Sequence, residues 1–118
     1  MNLNDFLIEL LEQTGLPVQQ DEYSGRWKNY IVFTYADERP ELTGDDRVIA
    51  DTCYLQIQLI TPKETNYFGY KKHIRDLLEG AGFIVTSTQS FLNDMGENVE
   101  KTRQTVFEVE YTAGRKEF

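Results

Sequence analysis

Residues 47–60, RVIADTCYLQIQLI, alternate strictly between apolar and polar side chains from Cys53 to Leu59. Successive side chains of a strand point to opposite faces, so Cys53, Leu55, Ile57 and Leu59 share one face and Thr52, Tyr54, Gln56 and Gln58 the other. Such a strand sits in a sheet with one face on a core and the other in water. The flanking segments must then supply both further strands and the layer that covers the apolar face.

Downstream, residues 61–83 read as that covering layer. Thr61, Pro62 and Glu64 stand at the positions of a capping box with proline first in the helix. A start near Thr65 is the alternative, since Gly69 weakens the first turns. Tyr67, Tyr70, Ile74, Leu77 and Leu78 form the apolar stripe, and Gly80 and Gly82 end it. Two strands follow, FIVTSTQSF (83–91) and RQTVFEVEYT (103–112), the second with Thr105, Phe107, Val109 and Tyr111 opposed to Glu108 and Glu110. LNDMGENVEK (92–101) between them reads as a turn or loop.

Upstream, NDFLIELLEQTG (4–15) predicts a short amphipathic helix. Asn4 is its N-cap, Asp5 lies in the first turn, Leu3, Phe6, Leu7, Leu10 and Leu11 are at helical spacing, and Gly15 is the stop. VQQDEYSGRWKNYIVFTY (18–35) predicts a hairpin: a strand, a turn at Ser24-Gly25, and a second strand in which Ile31, Phe33 and Tyr35 alternate with Tyr30, Val32 and Thr34. The order α-β-β-β-α-β-β predicts one α+β domain over residues 1–118, with two helices on one face of a mostly antiparallel sheet of four to five strands. Leu55, Ile57, Phe107, Val109, Ile74 and Leu77 are the predicted core.

Composition narrows the chemistry. With 118 residues the chain can bury roughly two-thirds of its unfolded surface without disulfide or metal staples. Its single cysteine, Cys53, rules out an internal disulfide framework and a cysteine-rich zinc cluster. The N-terminus MNLNDF lacks the charged start and apolar run of a signal peptide, and no apolar run nears the roughly 20 residues of a membrane span. A soluble, intracellular protein is expected. Twenty acids against 12 bases leave a net charge of −8. That balance disfavours any grip on DNA or RNA, which depends on matching phosphates with Lys and Arg.

The acids concentrate in YADERPELTGDDRVIAD (35–51), which carries Asp37, Glu38, Glu41, Asp45, Asp46 and Asp51 against Arg39 and Arg47. This reads as an extended loop between two strands. It lacks the ligand spacing, central Gly and closing Glu of a calcium loop. Adjacent Asp45 and Asp46 point apart on an extended chain, so they do not make an acid–base pair. His73 lies among Lys71, Lys72 and Arg75 on a solvated helix flank, where Lys72 with Asp76 and Arg75 with Glu79 have the spacing of helix-supporting pairs. Cys53 reads as a small buried hydrophobe. Trp27, near the predicted hairpin tip, is either an exposed binding anchor or packed back on its own hairpin. No catalytic, cofactor or metal residue is predicted.

Residues 30–83, YIVFTYADERPELTGDDRVIADTCYLQIQLITPKETNYFGYKKHIRDLLEGAGF, followed by a final pair of strands ending FEVEYT, resemble the tail terminator or tail completion proteins of long-tailed bacteriophages and prophages. The resemblance spans about Asn4 to Tyr111. It rests on element order, the loop before DTCYLQIQLIT and the helix end IRDLLEGAGF. It implies a non-enzymatic subunit, working in the bacterial cytoplasm and then in the virion tail or neck, that forms a usually six-fold ring, caps the tail tube and meets the head connector. On that view Glu38, Arg39, Glu41, Asp45, Asp46 and Arg47 face a neighbouring subunit, the tube or a lumen through which DNA passes. A solvated loop is the plain alternative. Rival readings are another neck or head-completion protein, a small acidic inhibitor that mimics nucleic acid, and a hydrolase.

Overall fold

The computed structural model describes residues 2–44, 47–93 and 101–114, with the backbone alone for 39–44, 47–49 and 114. The fold is α+β. In chain order it comprises α1 (Leu3–Leu11) continued by a 3-10 turn (Glu12–Thr14), β1 (Val18–Gln20), β2 (Tyr30–Gly44), β3 (Arg47–Pro62), α2 (Phe68–Gly80), β4 (Ile84–Asn93) and β5 (Thr102–Gly114). The strands form one five-stranded sheet in the order β1-β2-β3-β5-β4, antiparallel except for β1 with β2.

The alternating strand β3 lies at the centre. Cys53, Leu55, Ile57 and Leu59 are all buried, and in register they oppose Tyr111, Val109, Phe107 and Thr105 of β5. Ile31 and Phe33 of β2 complete this face. Leu3, Leu7 and Leu11 of α1, with Ile74 and Leu78 of α2, close the core over it. Each fully buried leucine or isoleucine stabilises the fold by about 1.5–3 kcal/mol. The predicted core holds except at Leu77, which is half-buried, while Leu78 is fully enclosed. With its first turn starting only at Phe68, α2 directs Ile74 and Leu78, four residues apart, onto the sheet.

Four other expectations are corrected. First, α1 is capped by Asn2, not Asn4: the Asn2 side-chain oxygen accepts from the Asp5 N–H at 2.8 Å, and starting two residues earlier brings Leu3 into the buried stripe with Leu7 and Leu11. Second, Thr61 and Pro62 are the end of β3, paired with Arg103 and Thr102 of β5, and do not open a helix. The ladder with β5 outcompetes a cap.

Third, residues 18–35 are not a hairpin. Val18, Gln19 and Gln20 pair in parallel with Ile31, Val32 and Phe33, because β2 is already joined antiparallel to β3 along its length. The intervening segment has large apolar groups only at Tyr23 and Trp27 and so no period-two face. Asp21 turns with φ 66°, and its N–H donates to the Phe33 carbonyl at 2.9 Å. Fourth, the acidic stretch is not a loop. It is the far half of the β2–β3 hairpin, which runs to a closing Gly44–Arg47 pair. Beside it β5 pairs with β3 as far as Ala50–Gly114, so the sheet stays three strands wide along most of this end, in a molecule 59 Å long and 25 by 24 Å across.

Candidate interaction site

Two built features stand out from the core, a loop that displays an aromatic side chain and a cleft at the root of the acidic end of the β2–β3 hairpin. In the loop, Tyr23 stacks on Tyr30 with ring centroids 4.1 Å apart. Its hydroxyl accepts from the Trp27 backbone N–H at 2.8 Å. Gly25 leaves room for the Tyr23 ring and hydroxyl, which a Cβ there would have to displace. The Ser24 N–H donates to the Gln19 side-chain oxygen at 3.1 Å. Held in this way, Trp27 keeps 60% of its surface exposed. It is therefore exposed and not packed back, on a loop between parallel strands and not on a hairpin tip.

The cleft has a volume of about 460 Å³ and lies between the start of α1 and β2. Its floor is apolar: Leu3 and Cys53 are buried and Tyr35 half-buried, with the Tyr35 hydroxyl donating to the Asn4 side-chain oxygen. Its mouth is set by a bulge. The β2 register slips between Tyr35 and Asp37, leaving Ala36 without a partner on β3, and Ala36, Asp37 and Glu38 form the exposed rim. Bulges bend a strand and re-aim its side chains. Burial, and then the nearby Glu38 and Asp51 charges, push the Cys53 thiol up to about 11. Burial, with a contribution from Cys53, pushes the Tyr35 phenol up to about 12. Both floor groups are thus neutral at physiological pH, and the thiol is not an activated thiolate.

The remaining predicted contact residues lie along the acidic end of the hairpin. Glu38 is exposed, opposite Cys53 in register, and its N–H donates to the Asp37 carboxylate at 2.8 Å. The backbone of Arg39 pairs with Thr52, Glu41 falls in a second register slip between Pro40 and Leu42, and Arg47 closes the hairpin opposite Gly44. Asp45 and Asp46 lie outside the described residues. Trp27 is not among them in space: Tyr30 and Glu38 are eight residues apart on β2, roughly 26 Å along an extended strand. Sequence reasoning missed the cleft, because its floor comes from α1, β2 and β3 together. A strand that departs from alternation after Tyr35 was the available signal.

On the sheet face away from the helices, polar side chains bonded across strands alternate with Val32, Ile60 and Val106. Gln104 donates to Gln58 at 2.7 Å, Asn93 to Gln104 at 3.2 Å and Gln56 to Glu108 at 3.2 Å. At its β4 edge the slip between Val85 and Ser87 brings Ile84 and Phe91 onto this same face, both exposed. His73 is exposed on α2, and the predicted pairs form, Lys72–Asp76 at 3.7 Å and Arg75–Glu79 at 3.0 Å. Among the described residues, no three His, Cys, Asp or Glu side chains converge as a metal would need, and no helix is long and apolar enough to cross a membrane.

No known family model matches the chain, and no curated protein matches it. Among solved structures it is similar to the core domain of a protein from Akkermansia muciniphila, at 14% identity and a TM-score of 0.39, over 92% of this chain. The match spans about half of that longer chain, 54%, and a superposition this weak says nothing about what either protein does.

Proposed function

We propose that this chain is a non-enzymatic assembly protein of a bacteriophage or prophage tail, a tail terminator that closes into a six-fold ring, caps the tail tube and joins it to the head connector. The observation that carries the reading is the pairing of an α+β body in the element order of the resemblance with an acidic end to its β2–β3 hairpin, bordered by β5 as far as Gly114. At that end Ala50, Asp51, Thr52 and Ala113 are buried, while Asp37 and Glu38 are exposed. Exposed carboxylates suit a contact with neighbouring subunits or the tube, or a lumen that repels passing DNA instead of trapping it. The protein would work in the host cytoplasm during assembly and remain in the virion tail or neck, without cofactor, metal or catalytic residue.

Electron microscopy of purified tail tubes mixed with this protein tests the reading. Rings seated on one end of each tube are the expected result. Tubes that stay bare at saturating protein overturn it, and tight capture of a nuclease instead would favour the acidic inhibitor.

A further inference from the structure

We infer that the tip of the 21–29 loop of one copy docks in the α1–β2 cleft of a second copy, with Trp27 on the floor of Leu3, Tyr35 and Cys53 and Arg26 meeting Glu38. This deepens the ring reading and rests on it for the identity of the partner. Three observations converge on it.

The first is preorganisation. The Tyr23 stack, the Tyr23–Trp27 hydrogen bond and the room that Gly25 leaves for the Tyr23 ring fix a loop whose largest side chain is left in water. Holding an aromatic anchor in place before binding removes much of the ordering cost of association. Tryptophan and arginine are also the residues most enriched at binding hot spots.

The second is charge. Residues 24–28, SGRWK, carry two cations and no acid, although Asp21 and Glu22 stand at the start of the loop. The rim of the cleft carries Asp37 and Glu38. Copies at −8 each repel one another overall, so a stable contact needs opposite charges where they touch. The β4 edge, with no charge from Ile84 to Asn93, offers no such complement.

The third is shape. A cleft of about 460 Å³ with an apolar floor admits an indole ring, and it is within the roughly 300–1,000 Å³ usual for sites that enclose a ligand group. The loop enters β2 at Tyr30 and the cleft lies beside Tyr35–Glu38 at the middle of the strand, so tip and cleft are different patches and each subunit offers one of each. The contact is then head-to-tail, the kind that closes into a ring when the rotation between copies allows it.

Trp27 is the only tryptophan of the chain, so tryptophan fluorescence reports the surroundings of this one side chain. On concentration, emission should shift to the blue and acrylamide quenching should fall in step with the rise in mass by light scattering. Trp27→Ala, and separately Ala36→Arg or Glu38→Lys in the cleft, should weaken association by roughly 30-fold or more, the loss typical of a hot spot. Melting temperatures should stay near the wild-type value. Mixing the Trp27→Ala and Ala36→Arg proteins should yield a one-to-one dimer that grows no further, since only one tip and one cleft remain intact. Assemblies in which Trp27 stays red-emitting and quenchable overturn the contact but leave the ring reading standing, as does a Trp27→Ala protein that assembles normally. A wild-type protein that is monomeric at every concentration overturns the contact, and if it also fails to bind tail tubes the ring reading falls with it.

Discussion

On the helix-covered face of the sheet, Leu55, Ile57, Leu59 and Phe107 have no exposed surface. On the opposite face the same two strands present Gln56, Gln58, Gln104 and Glu108, half-buried and hydrogen-bonded across strands. The backbone is shared, so the difference belongs to the side chains. The covered face gains by removing apolar area from water, a contribution that grows with every methylene enclosed. The open face exchanges water hydrogen bonds for protein ones at a small net gain per bond. One face therefore sets the stability of the fold, while the other stays in contact with water and leaves its margins free for contacts.

The sharpest way to break that comparison is to cut into the covered face. Ile57→Ala should cost about 2–5 kcal/mol by denaturant unfolding, the range for a large-to-small change in a closed core. Leu78→Ala should fall in the same range and Leu77→Ala well below it, because only Leu78 is enclosed. Equal losses at 77 and 78 would contradict the helix orientation.

Alkaline titration probes the same face without mutation. The unfolded chain releases the Cys53 proton near pH 9, whereas the folded chain holds it to about 11. Between those values the folded state binds more protons, so stability falls as pH rises. Tyr35 extends the decline from 10 toward 12. Melting followed across this range should show the loss beginning near pH 9, and Cys53→Ala should remove its first part. A thiol that alkylates readily in the folded protein at neutral pH would contradict the burial.

On the open face the expected effects shrink. Gln104→Ala removes its bonds to Gln58 and Asn93, and should cost about 0.5–1.5 kcal/mol per bond lost from the folded state. A loss as large as that of Ile57→Ala would mean that the polar face carries the fold after all. Smallest of all, Asp45→Asn with Asp46→Asn should leave melting nearly unchanged, and calcium or magnesium should not raise it, since an ion that does not bind the native state cannot stabilise it. A rise of several degrees at low ion concentration would make the hairpin end a metal site.

What the chain disclosed in advance follows the same division. The alternation in 52–59 and 105–111 and the stripes of α1 and α2 were legible because periodicity reports burial directly. The parallel β1 was not, since three residues carry no period and their partner was chosen by the far side of β2. Nor was the acidic end of the hairpin: its acids and Pro40 look like a loop, yet pairing with β3 continues through three register slips. The Trp27 side of the candidate site was visible as a residue but not as a setting, because the Tyr23–Tyr30 stack that holds it is a tertiary fact. The cleft depends on three elements meeting and left only the broken alternation after Tyr35 as a trace.

Self-association is the central claim, and the mass of the protein in solution tests it most directly. Six copies at −8 each gather a formal −48, so repulsion opposes a ring until salt screens it, over a length near 8 Å at physiological ionic strength. Light scattering across concentration and salt, with and without purified tail-tube protein, should show monomers at low salt, and a discrete ring of six favoured as salt rises or tube protein is added. Monomers under every condition, with no binding to the tube, would contradict the account.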